Sequence, residues 1–296
     1  MKWEVYRVIF RVRSPLHIGF NKVGNLQRTR HYVTGRVMWG ALTARLTRMK
    51  FLGKGPVVSS EEYQCIGRDL DENIAFTYFY PAIRRNSDYQ ILWPWENEDD
   101  FRRRLLGSYV STALDYSQQA AANEALHEIE FISPNTQDTG EPIYLMGYIF
   151  EKKDTELEWK KACEYIQLGG ERGYGFGKLE LADMTKIQTS EIELFNGAIK
   201  FKNFQDRPLI HLHVADSPQS YARLLAHTKA INMERIEGII EPLVVREWRS
   251  NAKQYRYAGQ YVDLIGVCFA PGSKISKSAD FAIGRFGIWY PALAKS

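Results

Sequence analysis

Cysteine is scarce, with Cys65, Cys163 and Cys268 the only three among 296 residues. They form no C-x-x-C pair, which argues against a disulfide framework or a cysteine zinc cluster and leaves reduced, buried thiols as the expectation. Long apolar runs are missing as well. No stretch reaches the ~18 uncharged apolar residues of a membrane span. The opening Met1, Lys2, Trp3, Glu4 lacks the apolar stretch of a secretory signal, so a soluble, cytoplasmic protein with no membrane partner is expected. Acid is nearly absent from the N-terminal fifth. Residues 1–58 hold twelve cations and one anion, Glu4, a net +11 in a chain whose total is +4, so the remaining 238 residues carry −7. Charge segregated in this way concentrates positive potential on one region, as a polyanion-binding surface requires.

What is present fits an α+β protein of two domains. The chain is longer than the ~100–200 residues of an average domain, and 45% apolar residues suffice for sizeable cores. Residues 3–13 alternate as a strand, with Tyr6, Val8, Phe10 and Val12 on one face and Val5, Arg7, Ile9, Arg11 and Arg13 on the other. One face can pack on helices and the other can meet phosphate. A basic, glycine- and asparagine-containing connection over 14–33 lacks periodicity, and connections of that length are usually functional or disordered. Thr34 is placed to cap a helix running to Lys50, with Met38, Ala41, Leu42, Leu46 and Met49 as its buried stripe and Arg45 and Arg48 projecting.

Strands are expected at 75–83 and 89–95, and a helix over 97–128 opening on the acidic run Glu96, Glu98, Asp99, Asp100. Strands at 128–132 and 142–150, a helix over 155–168 and an exit strand at 178–181 complete the first domain, 1–184. Its order of strand, helix, strand, strand, helix, strand is the ferredoxin-like one. A polar connection at 185–195 leads to a second α+β domain, 195–296, read from segments at 209–214, 219–231, 236–246, 261–269 and 281–289 as a degenerate ferredoxin-like copy.

The run Gly169, Gly170, Glu171, Arg172, Gly173, Tyr174, Gly175, Phe176, Gly177, Lys178 frees backbone N–H groups to approach a phosphate, with Arg172 and Lys178 adding charge. Tyr174 and Phe176 can stack on bases or pack inward. A dinucleotide fingerprint is excluded because it leaves a strand and opens a helix, the reverse of the order here. A P-loop fails because Leu179, not Ser or Thr, follows Lys178. Arg172, Gly173, Tyr174, Gly175 and Phe176 match the first places of the RRM signature, but they precede the last strand, so the match is compositional. No cofactor is expected.

Ser14, Pro15, Leu16, His17, Ile18 and Gly19 after the first strand, Tyr32, Val33, Thr34, Gly35 and Arg36 into a helix, and the glycine run, taken in that order, resemble the RAMP superfamily of CRISPR-associated proteins. Residues 129–132 through 144–148 are similar to that family's middle hairpin. The resemblance spans 1–184 well and the rest weakly. It implies ferredoxin-like domains that bind CRISPR guide RNA through the glycine-rich loop, in a type III effector with other RAMP subunits and a large polymerase-like subunit. The branch it looks most like caps the complex by holding the guide's 5′ tag. Departure from the processing-nuclease branch lies in the mid-chain position of the glycine run, with only a remnant at Gly284, Arg285, Phe286, Gly287.

Candidate RNA contacts are Arg7, Arg11, Arg13, His17, Lys22, Arg28, Arg30, His31 and Arg36, with Gly169, Gly170, Arg172, Gly173, Tyr174, Gly175, Phe176, Gly177 and Lys178. Arg246, Trp248 and Arg249 open a stretch that continues to Lys253, Tyr255, Arg256, Tyr257 and Tyr261 and mixes cations with aromatics, which suits single-stranded RNA or a hairpin with core aromatics. Arg102, Arg103 and Arg104 are read as a solvated helical face. Were the chain a metal-independent endoribonuclease processing precursor guide RNA, His17 and His31 would be its acid–base pair. Were it a backbone subunit cutting target RNA, a loop aspartate such as Asp69, Asp71 or Asp138 would be needed. Non-catalytic binding is preferred to both. His211 and His213 share a strand face, yet no carboxylate or cysteine cluster stands near them in the sequence, so no metal site is expected.

Overall fold

Strand Trp3–Val12 is the hub of the molecule. The computed structural model describes residues 3–122, 125–188, 192–202, 206–217, 219–230, 236–250 and 261–292. The protein is α+β, rich in strands arranged in several sheets. Its α-helices among the described residues are four: α1 (Gly35–Lys50), α2 (Ser60–Asn73), α3 (Glu98–Leu105) and α4 (Trp159–Cys163). In the first sheet, Leu179–Ile187, Trp3–Val12, Ile143–Lys152, Tyr80–Arg85 and Asp88–Ile91 lie side by side in that order, with antiparallel neighbours throughout.

The two-residue period of the hub strand buries both of its faces. Val8, Phe10 and Val12 meet Met38, Leu42 and Leu46 of α1, Ile66 and Leu70 of α2, and Trp159 of α4. Each such fully buried side chain contributes roughly 1.5–3 kcal/mol, so truncating Phe10 would cost about 3–5 kcal/mol. On the other face, Val5 and Ile9 join Tyr80, Tyr148 and Phe150 against Ile199, Phe201, Ile210 and Phe281 of a second, eight-stranded sheet and Phe195 in one of its turns. The face expected to meet phosphate therefore packs against protein. Helices, sheet and sheet stack in layers.

The helix expected from Thr34 forms as read. Its cap hydroxyl accepts from the Val37 N–H, and Met38, Leu42 and Leu46 are buried with Ala41 and Met49 partly so. Such a cap stabilises by about 1 kcal/mol. Helix α2 escaped the sequence reading although it has a cap, Ser59 accepting from the Glu61 N–H, and two acids in its first turn.

The long helix expected over 97–128 stops at Leu105. Asn97 caps it by accepting from the Asp100 N–H, but Gly107, Ser108, Tyr109 and Val110 are poor helix formers. They extend instead as Leu106–Ser111 against His127–Ile132. These two strands join Gly19–Val23 and Leu26–Thr29 in a four-stranded sheet, so part of the 14–33 connection is a hairpin. The helix expected over 155–168 shortens to α4, and Gln167 and Leu168 extend instead, pairing with Lys178 and Gly177. After Cys163 the described residues hold strands and 3-10 turns and no α-helix.

Candidate nucleic-acid interface

Three segments, the first two close together in sequence and the third far from both, meet around one groove of about 830 Å³. The first wall is the segment from His17 to Arg30, the second the start of α1 with Arg36, and the third the edge strand Ile240–Glu247 with Arg246. Gly169, Gly170 and Arg172 close one end.

The glycine run is shaped by its ends. The Gly170 N–H donates to the His17 carbonyl at 2.9 Å and the Gly177 N–H to the Pro15 carbonyl at 2.7 Å, while the Lys178 N–H donates to Ser14 Oγ at 2.9 Å. Gly169 and Gly177 adopt φ of +79° and +78°, and a Cβ would drive the first into the His17 carbonyl oxygen and the second into that of Leu168. Glycine is needed at both positions because a side chain meets backbone that cannot yield. Between them Arg172–Tyr174 form one 3-10 turn. The Ser14–His17 segment and the glycine run are thus one backbone unit.

His17 is buried, and its Nδ1 donates to the Glu130 carbonyl at 2.7 Å. Lys22, Arg28 and Arg172 line the groove without an ion pair among the described residues. Arg36 donates to the Val244 and Arg246 carbonyls at 2.9 and 3.1 Å, covering the unpaired edge of that strand. Burial pulls the Arg36 guanidinium below its ordinary range.

Arg30 is held differently. Its guanidinium donates to both Glu241 oxygens at 3.0 Å and lies 4.7 Å above the Phe20 ring. Glu241 also accepts from His227 Nε2, whose Nδ1 accepts from the Tyr78 hydroxyl at 2.6 Å. Burial pushes the Glu241 carboxyl up, but hydrogen bonds from His227 and Arg30 prevail and hold it at about 2. Burial outweighs the Glu241 carboxylate at His227 and lowers its pKa, so a neutral ring fits this chain of donors. Tyr78 and Arg30 precede the glycine run in sequence and His227 and Glu241 follow it, so these bonds fasten remote parts of the chain together beneath the groove.

Other expected contacts lie elsewhere. Arg7 pairs with Asp88 at 2.9 Å and Asp183 at 3.3 Å, and Arg13 with Glu180 at 3.0 Å; Arg11 is half-buried on the hub strand. His31 is apart from the groove lining, with Nε2 accepting from Arg102 at 3.0 Å. Burial, then the Arg102 and Arg28 charges, lower its pKa to about 4. Gly173, Tyr174, Gly175, Phe176, Gly177 and Lys178 continue past the groove's end. Phe176 packs inward, while Tyr174 remains 57% exposed. Trp248 packs edge-on against Tyr63, and Arg249 sits 4.2 Å over the Tyr261 ring. Lys253, Tyr255, Arg256 and Tyr257 lie outside the described residues.

Arg102, Arg103 and Arg104 do not form a free cationic face: Arg102 binds Glu130, Arg103 binds Asp100 and Arg104 binds Asp138. Asp69 and Asp71 belong to α2 rather than to a loop, and Asp71 pairs with Arg285 at 2.6 Å. His211 Nδ1 contacts Asp280, which also accepts from Lys202. Among the described residues no group of three or more His, Cys, Asp or Glu is arranged to hold a metal, and no helix is long and apolar enough to cross a membrane. Sequence reading missed Tyr78, His227 and Glu241 because no local spacing links them.

No protein-family model and no curated protein matches the chain. Among solved structures it is similar to a chain in a cryo-EM structure of type III-B Cmr-beta bound to cognate target RNA and AMPPnP, with a TM-score of 0.47 and 10% identity over 91% of this chain and 85% of that one. It is also similar to a chain of Cmr-beta in the apo state, TM-score 0.38 and 11% identity, covering 60% of this chain and 96% of that chain. A chain of Cmr-beta bound to cognate target RNA gives a TM-score of 0.37 and 10% identity with the same coverages.

Proposed function

We propose that the groove binds single-stranded RNA and that the chain is a guide-RNA-binding subunit of a type III effector ribonucleoprotein, holding the guide's 5′ tag. The observation that carries this reading is the convergence of Lys22, Arg28 and Arg172, cations without an ion pair among the described residues, with a backbone-shaped glycine turn on one concave surface. Cations supply attraction to phosphate, and the glycines let an RNA backbone approach closely. The first unit is a ferredoxin-like domain in this proposal, supported by its strand order, and the resemblance to the RAMP superfamily supplies the guide RNA as ligand.

The test is a titration of labelled single-stranded RNA across salt concentrations. Affinity should fall with a log–log slope of about −0.7 for each phosphate neutralised. Affinity indifferent to salt would remove the proposal. Comparing RNA that carries the guide's tag with a scrambled tag separates tag capping from general binding, since capping predicts tighter binding of the authentic tag. Cleavage would show as product from repeat RNA in EDTA that His17→Ala abolishes.

A further inference from the structure

Two exposed tyrosines that no sequence spacing relates stand together beyond the end of the groove. Tyr109, on strand Leu106–Ser111, and Tyr174, in the glycine run, have ring centroids 6.5 Å apart at 49°. They are 48% and 57% exposed. Beneath them Phe176, itself buried, meets Phe131 edge-on at 5.6 Å and Tyr109 at 6.4 Å. The Tyr109 ring therefore rests on an aromatic floor.

Register ties this pair to the groove. Tyr109 pairs with Ile129, Ile129 with Gln27, and Gln27 with Lys22, so the four share one face of the four-stranded sheet. Gln27 and Lys22 line the groove, as does Arg172, two positions before Tyr174. Two half-exposed rings thus continue a line of cations. An RNA strand offers the matching pattern, phosphates for the cations and a base for the rings, and a base stacks on tyrosine whatever its identity. A purely apolar partner surface would leave Lys22 and Arg172 desolvated and unpaired.

We propose that Tyr109 and Tyr174 form a stacking site for one unpaired nucleobase of an RNA whose phosphates follow Lys22, Arg28 and Arg172. The site rests on the RNA-binding reading of the groove and deepens it. Stacking acts through the ring, so it differs from the phosphate contacts in being indifferent to salt and in needing a base, of any identity, to be present.

The probe is a fluorescein-labelled oligouridylate, together with derivatives carrying a single abasic position moved along the strand. Tyr109→Ala and Tyr174→Ala should each weaken binding about tenfold with the salt slope unchanged, and the Phe variants should retain affinity. With the wild-type protein alone, which needs no variant to fold, one abasic position should cost about tenfold while its neighbours cost little. Equal cost at every position would overturn the proposal. So would a Tyr109→Ala variant that binds like wild type while Arg172→Ala is weakened, a result that leaves the groove reading intact. Wild-type protein that binds no RNA removes the groove reading, and the stacking site with it.

Discussion

The N-terminal basic region divides into two stretches of similar composition and opposite fate. On the hub strand and just past its end, Arg7 and Arg13 are matched by Asp88, Asp183 and Glu180, acids supplied from far along the chain. From Lys22 to Arg36 the cations line the groove, and of these Arg30 is fastened to Glu241 while Lys22 and Arg28 have no ion pair among the described residues. A net charge counted along the sequence is therefore a poor measure of potential at a surface. What decides is whether the fold brings a counter-charge to each cation, and the face of Trp3–Val12 that bears Arg7 is turned toward a second sheet.

The sharpest difference between the stretches lies in stability. Arg30→Met should destabilise the protein by about 3–5 kcal/mol, because it strands Glu241, held low and largely shielded from water, without its partner. Arg7→Met, whose pairs are more exposed, should cost at most about 1 kcal/mol. Urea unfolding of the two variants measures both values. Equal losses would erase the distinction between a fastening arginine and a surface one.

Acid should act next. His31 is held at about 4 against an ordinary 6.5, so the unfolded chain takes up its proton first. Its contribution to stability is complete above pH 6.5 and lost as pH falls toward 4, an effect of up to roughly 3 kcal/mol. Asp71 works in the opposite sense. Burial, against Arg285, raises it from 3.8 to about 6, so its contribution is present below 3.8 and lost as pH rises through 6. Thermal melts from pH 4 to 7 should show a shallower acid-side loss of stability in His31→Gln than in wild type. Identical profiles would mean that burial and the neighbouring Arg102 and Arg28 charges do not hold His31 low.

The smallest effect separates the stretches by RNA binding itself. Arg172→Ala should reduce the magnitude of the salt slope by about 0.7, as expected for one lost phosphate contact on a single strand. Arg13→Ala, on a cation paired with Glu180, should leave it unchanged. A reduced slope in Arg13→Ala would extend the interface to the end of the hub strand.

Local pattern made much of the first unit legible. Alternation in Trp3–Val12, the Thr34 cap and the Met38, Leu42, Leu46 stripe are short-range signals, and each reappears in the structure. The helix read over 97–128 failed because its acidic start was real but its continuation was decided by a partner strand, His127–Ile132, that propensity cannot see. The groove was half legible. The segment from His17 to Arg36 and the glycine run carry composition that points to phosphate, yet their meeting with Glu241, His227 and Arg246 depends on packing between parts of the chain about 200 residues apart. Phe176 shows the same boundary, since only the position of Phe131 decides that it turns inward while Tyr174 does not.

Hydrogen bonding between Ser14 and Lys178 spans 164 positions of chain, and this has a consequence for the timing of synthesis. An emerging N-terminal segment displays its arginines long before the glycine run exists to shape them, and before Glu241 exists to fasten Arg30. Contacts so remote form late, after the loops between them have closed. If the groove is an RNA site as proposed, the nascent basic arm attracts RNA only loosely on the ribosome, and selective binding waits until the final strands are made. A stalled or truncated product would be a sticky cation without a site.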